Sequence, residues 1–148
     1  MSTYKQIIYQ IVFGTKNRNK CLARDNRSRL YEYIFGILQN NKCHVYGVNG
    51  MEDHIHILFH LHPSVSLAWL IKDVKLATSA LIKENDLFKD FSGWQSGYGA
   101  FTYSVKEKGT LIAYLNNQEE HHRKITYEEE YISLLTDNEI EFDKKYLW

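Results

Sequence analysis

The order in which side-chain periodicity changes along this chain constrains its fold more than any other feature. Residues 4–13, YKQIIYQIVF, are rich in β-branched and aromatic side chains and predict a strand. A basic loop, KNRNKCLARD, leads into NRSRLYEYIFGILQNN, whose apolar residues at 30, 34, 37 and 38 have helical spacing, with Asn26 as a candidate cap. KCHVYGVNG then predicts a second strand that turns at Asn49-Gly50 into a third, the histidine-rich segment, so that 43–60 reads as a hairpin. Residues 64–85 open on a serine cap and keep an apolar stripe at 67, 70, 71, 74, 77, 81 and 82, a second long helix. A glycine-bearing loop, FSGWQSGYGA, leads into a fourth strand, AFTYSV, and the spacing predicts further helices over 107–123 and 127–136.

The resulting order, β-α-β-β-α-β followed by helices, is the ferredoxin-like split β-α-β arrangement of the α+β class. It implies an antiparallel sheet with its two crossover helices on one face and the other face free. Residues 1–148 read as a single domain, because no repeat or Ser/Pro-rich linker interrupts them and 44% hydrophobic content suffices for one core. Two cysteines without CxxC spacing, Cys21 and Cys43, fit a reducing compartment. The first residues lack signal-peptide anatomy, and no apolar run approaches the roughly 18 residues of a membrane span, so the expectation is a cytoplasmic protein without membrane contact.

Net charge is zero, yet it is unevenly spread. Residues 1–50 hold eight Lys/Arg against two Asp/Glu, and residues 125–148 hold two against seven. Local field attracts a polyanion, so Lys16, Arg18, Lys20, Arg24, Arg27 and Arg29 are candidate contacts to a nucleic-acid backbone. Trp94, Tyr98 and Phe101 are candidate platforms for unpaired bases, or else members of a loop that glycines bend into the fourth strand. Repulsion is expected to hold the acidic tail off a polyanion, its Tyr131, Ile132, Leu134 and Leu135 packing on the core instead.

Within EDHIHILFHLHP stand four of the seven histidines. Alternation places His54 and His56 on one face of a strand, the two backbone positions about 6.6–7 Å apart, close enough for both rings to reach one metal ion. His60 and His62 repeat the spacing but start about 20 Å further along, too far to share that ion. The competing reading makes all of them polar side chains on an exposed face, and on either reading alanine at 54 or 56 is expected to cost little stability.

Closure of such a site must come from a distant element, and LIAYLNNQEEHH offers one. Tyr114 and Gln118 are four residues apart and share a helical face. A phenol is a poor nucleophile near its usual pKa of about 10, but beside a metal-bound phosphate it can attack, and the Gln118 carboxamide offers a third, uncharged ligand. His121 and His122 are expected at a solvated helix end. Asp53, Asn116 and Asn117 lie near these motifs without an assigned role.

Taken in order, MEDHIHIL, WQSGYGAFTYSV and YLNNQEEHH resemble the HUH single-tyrosine transposases, which include small insertion-sequence transposases and REP-associated tyrosine transposases. The likeness spans roughly residues 4–142. It implies that His54 and His56, with Ile55 between them, are the metal-binding pair, that Tyr114 is the nucleophile and that Gln118 is a further metal ligand. It also implies Mg2+ or Mn2+ as cofactor, cleavage of single-stranded or hairpin DNA through a 5′-phosphotyrosine link, and a homodimer in which one subunit's tyrosine helix can complete the other's site. No GxxxxGK[ST] phosphate loop is present, in keeping with an ester that conserves bond energy without ATP. Two other readings stay open: a non-catalytic nucleic-acid binder, and a metal-dependent nuclease using water.

Overall fold

The computed structural model describes residues 4–148. Four strands, β1 (Ile8–Gly14), β2 (His44–Gly50), β3 (His54–His60) and β4 (Gly99–Tyr103), form one sheet in the order β2-β3-β1-β4, and every neighbouring pair is antiparallel. Helix α1 (Arg24–Asn40) connects β1 to β2, and α2 (Leu67–Asn85) connects β3 to β4. Three more helices follow β4: α3 (Lys108–Asn116), α4 (Gln118–His121) and α5 (Tyr127–Asp137). This is the ferredoxin-like order that the periodicity predicts.

Pairing of Ile11 with Ile57 and of Val12 with His56 sets which residues share a face. On one face Ile11, Phe13, Ile55, Ile57 and Phe59 pack with Leu30, Ile34 and Leu38 of α1 and Leu70, Ile71, Val74 and Ile82 of α2, forming the main core. The opposite face, expected to be free, is covered. There Val12 and Phe101 meet Tyr127, Tyr131 and Leu135 of α5, while Ile8 and Leu58 meet Leu115 of α3. The C-terminal helices supply this second layer because their own apolar stripes need a partner surface. Phe101 is buried within it and is no platform for bases.

Several local expectations shift. Asn49 and Gly50 belong to β2 rather than to a turn, and residues 51–53 make the hairpin connection, closed by the Met51 N–H donating to the His54 carbonyl at 3.1 Å. The cap of α2 is Ser66, whose hydroxyl accepts from Trp69 N–H, not Ser64. Asn26 lies inside α1 and donates its side-chain amide to the Leu87 carbonyl at 2.8 Å, tying the two crossover segments together. The helix expected over 107–123 breaks at Asn117, whose φ of -101° and ψ of 19° part α3 from α4.

Candidate active site and metal centre

Even positions of β1 and β3 face the C-terminal helices, and His54 and His56 stand among them. Both are fully buried, which corrects the exposed placement expected from alternation alone: the sheet has no free face for them to occupy. Antiparallel register sets Gly14 opposite His54 and Val12 opposite His56, in the sheet's interior. Around them α3 brings Tyr114, α4 opens with Gln118, and α5 contributes Glu130. The Asn49 side chain on β2 donates to the Leu115 carbonyl at 2.7 Å, pinning the end of α3 beside Tyr114.

Tyr114 and Gln118, on either side of the helix break, reach the histidines of the same chain. The Tyr114 ring meets His56 edge-on with centroids 5.8 Å apart, and Gln118 Oε1 lies 3.3 Å from His54 Nε2.

The residue that motif spacing misses is Glu130. It comes from the acidic tail expected to stay off a polyanion and to pack through its apolar residues, yet this carboxylate is itself only 2% exposed. Its Oε1 lies 3.2 Å from His54 Nε2, 2.9 Å from His56 Nε2 and 3.0 Å from His122 Nε2. Its Oε2 accepts from the Tyr114 hydroxyl and from the Gln118 amide nitrogen at 3.3 Å, with His121 Nε2 at 3.2 Å. A signal was present: Glu130 falls on the helical stripe with Tyr127, Tyr131 and Leu134, where a carboxylate is costly unless it is partnered. His122, expected in solvent, turns inward, and the ligand atoms of His54, His56, His122 and Glu130 all lie within 4.8 Å of one another.

Burial opposes charge on Glu130, but hydrogen bonds from His122, His54 and His56 outweigh it and hold the carboxyl well below the ordinary carboxylate range. Burial likewise lowers His56, and Glu130 only partly offsets it. For His54 the same burial is overcome by hydrogen bonds to Asp53 and Glu130, and the net shift is upward. Burial, then the negative charge of Glu130, pushes the Tyr114 phenol well above its usual value.

His60 and His62 take no part. His60 Nδ1 accepts the Ile7 N–H at 3.2 Å, and His62 Nδ1 accepts the Ser64 N–H at 3.1 Å, so both stabilise local backbone.

Most of the basic residues are already engaged. Arg18 pairs with Glu128 at 2.7 Å, Arg24 pairs with Glu119, Lys20 lies 3.9 Å from Glu52, and Arg29 donates to Asn85. Arg27 is largely covered, its side chain 12% exposed and its Nε donating to the Leu22 carbonyl. The Trp94 ring is wedged edge-on against Phe13 and Phe91, and its N–H donates to Thr78. Tyr98 is half-buried beneath the Lys75 ammonium, and Lys16 is exposed.

The family model described as "Transposase IS200 like" matches residues 3–118. No curated protein sequence matches the chain significantly. Several solved structures share the fold, two of them as follows. A protein from Deinococcus radiodurans R1, described as a candidate transposase, is 20% identical with a TM-score of 0.62, covering 80% of this chain and 95% of its own. A REP-associated tyrosine transposase bound to a REP hairpin is 13% identical with a TM-score of 0.61, covering 82% of this chain and 74% of its own.

Proposed function

Since the chain belongs to the IS200-like transposase family, we propose that it cleaves and rejoins single-stranded DNA with Tyr114 as nucleophile, at a site where His54 and His56 hold a divalent cation, Mg2+ or Mn2+ by family resemblance. One observation carries this reading: the phenol of Tyr114, both imidazoles and the Gln118 carboxamide meet in one buried cluster of a single chain. A bound cation would withdraw charge from the phosphoryl oxygens of the strand.

The chain's own groups account for the proton. Tyr114 is held neutral by burial and by Glu130, so it attacks as a phenol and not as a standing phenolate. Its hydroxyl already donates to Glu130 Oε2, which gives the proton a destination as the phenolic oxygen attacks phosphorus. The bond from phosphorus to the 3′ oxygen then breaks, that oxygen takes up the proton Glu130 received and leaves as a 3′-OH, and the 5′ side of the break stays joined to Tyr114. Attack by a 3′-OH on this ester reverses the step and returns the proton to the phenol, so strands exchange without an energy source.

Hairpin DNA is the proposed partner, supported by the REP hairpin bound to the similar transposase. Lys16, Lys20, Arg18, Arg24 and Arg29 are the proposed backbone contacts, with Tyr98 and the exposed edge of Trp94 beside them. A homodimer is proposed on family resemblance alone, and each copy would use its own Tyr114. Among the described residues no helix is long and apolar enough to cross a membrane.

The test is a denaturing gel of protein incubated with labelled hairpin-bearing single strands and a divalent metal. The expected result is a protein-DNA adduct with the native chain and none with Tyr114→Phe, while both retain DNA binding. Cleavage without adduct would instead indicate water as nucleophile, and binding with neither would indicate a non-catalytic DNA binder.

A further inference from the structure

A cavity of about 340 Å3 lies between α2 and residues 94–98, the segment that leads into β4. Its volume falls at the lower end of the range that small-molecule sites occupy. It stands on the α2 side of the sheet, beside Phe13 of the main core, whereas the histidine cluster lies on the other side under the C-terminal helices. Trp94 and Tyr98 give it aromatic surface, Ile71 and Leu76 give it aliphatic surface, and Lys72 and Lys75 give it charge. Among the described residues no Asp or Glu side chain lines it.

Neither lysine has a counterion along its helix. Positions three and four residues away from each hold no Asp or Glu, so the one charged side chain within helical reach of each is the other, and like charges at that spacing repel. Lys75 is half-buried, and burial lowers its pKa to about 8. Its ammonium donates to the Gln95 carbonyl at 2.9 Å and to the Gly97 carbonyl at 2.7 Å, and it lies over the rings of Phe13 and Tyr98. Carbonyls and rings orient an ammonium without cancelling its charge. An ammonium has three N–H groups, so one is left for a further acceptor. The indole N–H of Trp94 is taken by Thr78, so what that ring offers the cavity is apolar surface.

We propose that this cavity binds a free nucleotide, with the phosphate set between Lys72 and Lys75 and the planar base against Tyr98 and Trp94. A phosphate dianion relieves the repulsion between two ammonium groups more fully than a single carboxylate does. Tyrosine and tryptophan rings accept any base, because every base has a π face. The inference goes beyond strand cleavage and does not depend on it, since the ligand is a diffusible small molecule held away from the histidines. Tyr98 and the edge of Trp94 also stand beside the proposed strand contacts, so a bound strand and a free nucleotide would compete there.

The test is calorimetric titration of the full chain with adenosine 5′-monophosphate, with adenosine and inorganic phosphate as the two halves of that probe and a short single-stranded oligonucleotide as a fourth titrant. The expected result is saturable binding of the monophosphate and binding of either half weaker by about tenfold or more. Lys72→Ala, Lys75→Gln and Tyr98→Ala should each weaken monophosphate binding by roughly tenfold, the loss that one charge-assisted hydrogen bond or one base stack brings. Lys83→Ala, in the last turn of α2 and outside the cavity, should leave it unchanged. Circular dichroism establishes which variants fold, and the exposed Lys72 decides if Lys75→Gln does not.

A second readout belongs to Lys75. At pH 8 its ammonium is about half deprotonated, and a neighbouring phosphate favours the charged form, so binding should take protons from the buffer. Lys72 and Tyr98 are the other titratable side chains that line the cavity. Heats measured in two buffers of different ionisation enthalpy report that uptake, and Lys75→Gln should abolish it. Absence of saturable monophosphate binding, equal binding of adenosine, unchanged affinity in Lys72→Ala, or proton uptake that Lys75→Gln leaves in place overturns the assignment. Binding of the oligonucleotide but not of the monophosphate overturns it too, because the cavity is then part of the strand surface.

Discussion

The ring of Tyr127 lies flat on that of His54, centroids 4.3 Å apart and planes within 1° of parallel. The Tyr127 hydroxyl donates to Gln95 Oε1 at 2.9 Å, and the same oxygen accepts the Gly14 N–H. The first residue of α5 therefore backs the imidazole against the end of β1. Tyr127→Phe keeps the stack and loses one hydrogen bond, an expected cost of about 1 kcal/mol. Tyr127→Ala removes the ring and is expected to cost about 3–5 kcal/mol and to weaken metal binding as well. Urea denaturation and a metal titration on the same variants check both, and equal stability losses for the two would show that the stack contributes nothing.

Replacement of His54 or His56 by alanine is expected to destabilise the protein by about 2–4 kcal/mol, because each leaves a void and removes a partner from the buried Glu130 carboxylate. Metal should raise the melting temperature of the native chain and not that of the double variant, since only a ligand bound to the folded state stabilises it. Unchanged denaturation midpoints would return both histidines to a solvated role.

Tyr31 gives a prediction of opposite sign. Its hydroxyl is buried with no hydrogen-bond partner among the described residues. Tyr31→Phe should be neutral or stabilise by up to about 1 kcal/mol, since it deletes an uncompensated desolvation penalty. A clear drop in the urea midpoint would refute it.

Alkaline pH should destabilise the fold. Burial raises the phenols of Tyr31, to about 12, and of Tyr103, Tyr114, Tyr127 and Tyr131. An unfolded chain releases these protons near pH 10 while the folded chain holds them. The native state therefore binds more protons in that window, and stability falls as pH rises through it. Melting temperatures measured across this range should begin to fall above about pH 10, with phenolate absorbance rising at the same transition. Phenolate appearing near pH 10 while the protein stays folded would contradict the burial of these rings.

Much of this was legible in the sequence because periodicity reports burial directly. β-Branched and aromatic content found β1, alternation of the histidines found β3, and apolar spacing found α1 and α2. What escaped depends on contacts between distant segments. Asn49-Gly50 has turn chemistry, yet a Cβ at Gly50 would collide with the His54 carbonyl oxygen, so this glycine serves close strand approach. The break at Asn117 left a sign in two adjacent asparagines, poor helix formers. Glu130 was hidden inside EEEY, where composition says solvent and only helical phase distinguishes the third glutamate from its neighbours. The histidines were placed correctly on their strand and wrongly in exposure, because nothing local announces that the C-terminal helices fold back over them.

The pairs Arg18–Glu128 and Arg24–Glu119 mean that the basic strip carries its own counterions, built into α4 and α5. An arriving strand would trade places with these carboxylates, and exposed pairs of this kind separate at little cost. Fewer mobile ions leave in such an exchange, so affinity should fall less steeply with salt than the number of cations suggests. Where it lies against Arg18, the acidic end of the polypeptide would, on the proposed reading, act as a stand-in for the nucleic acid.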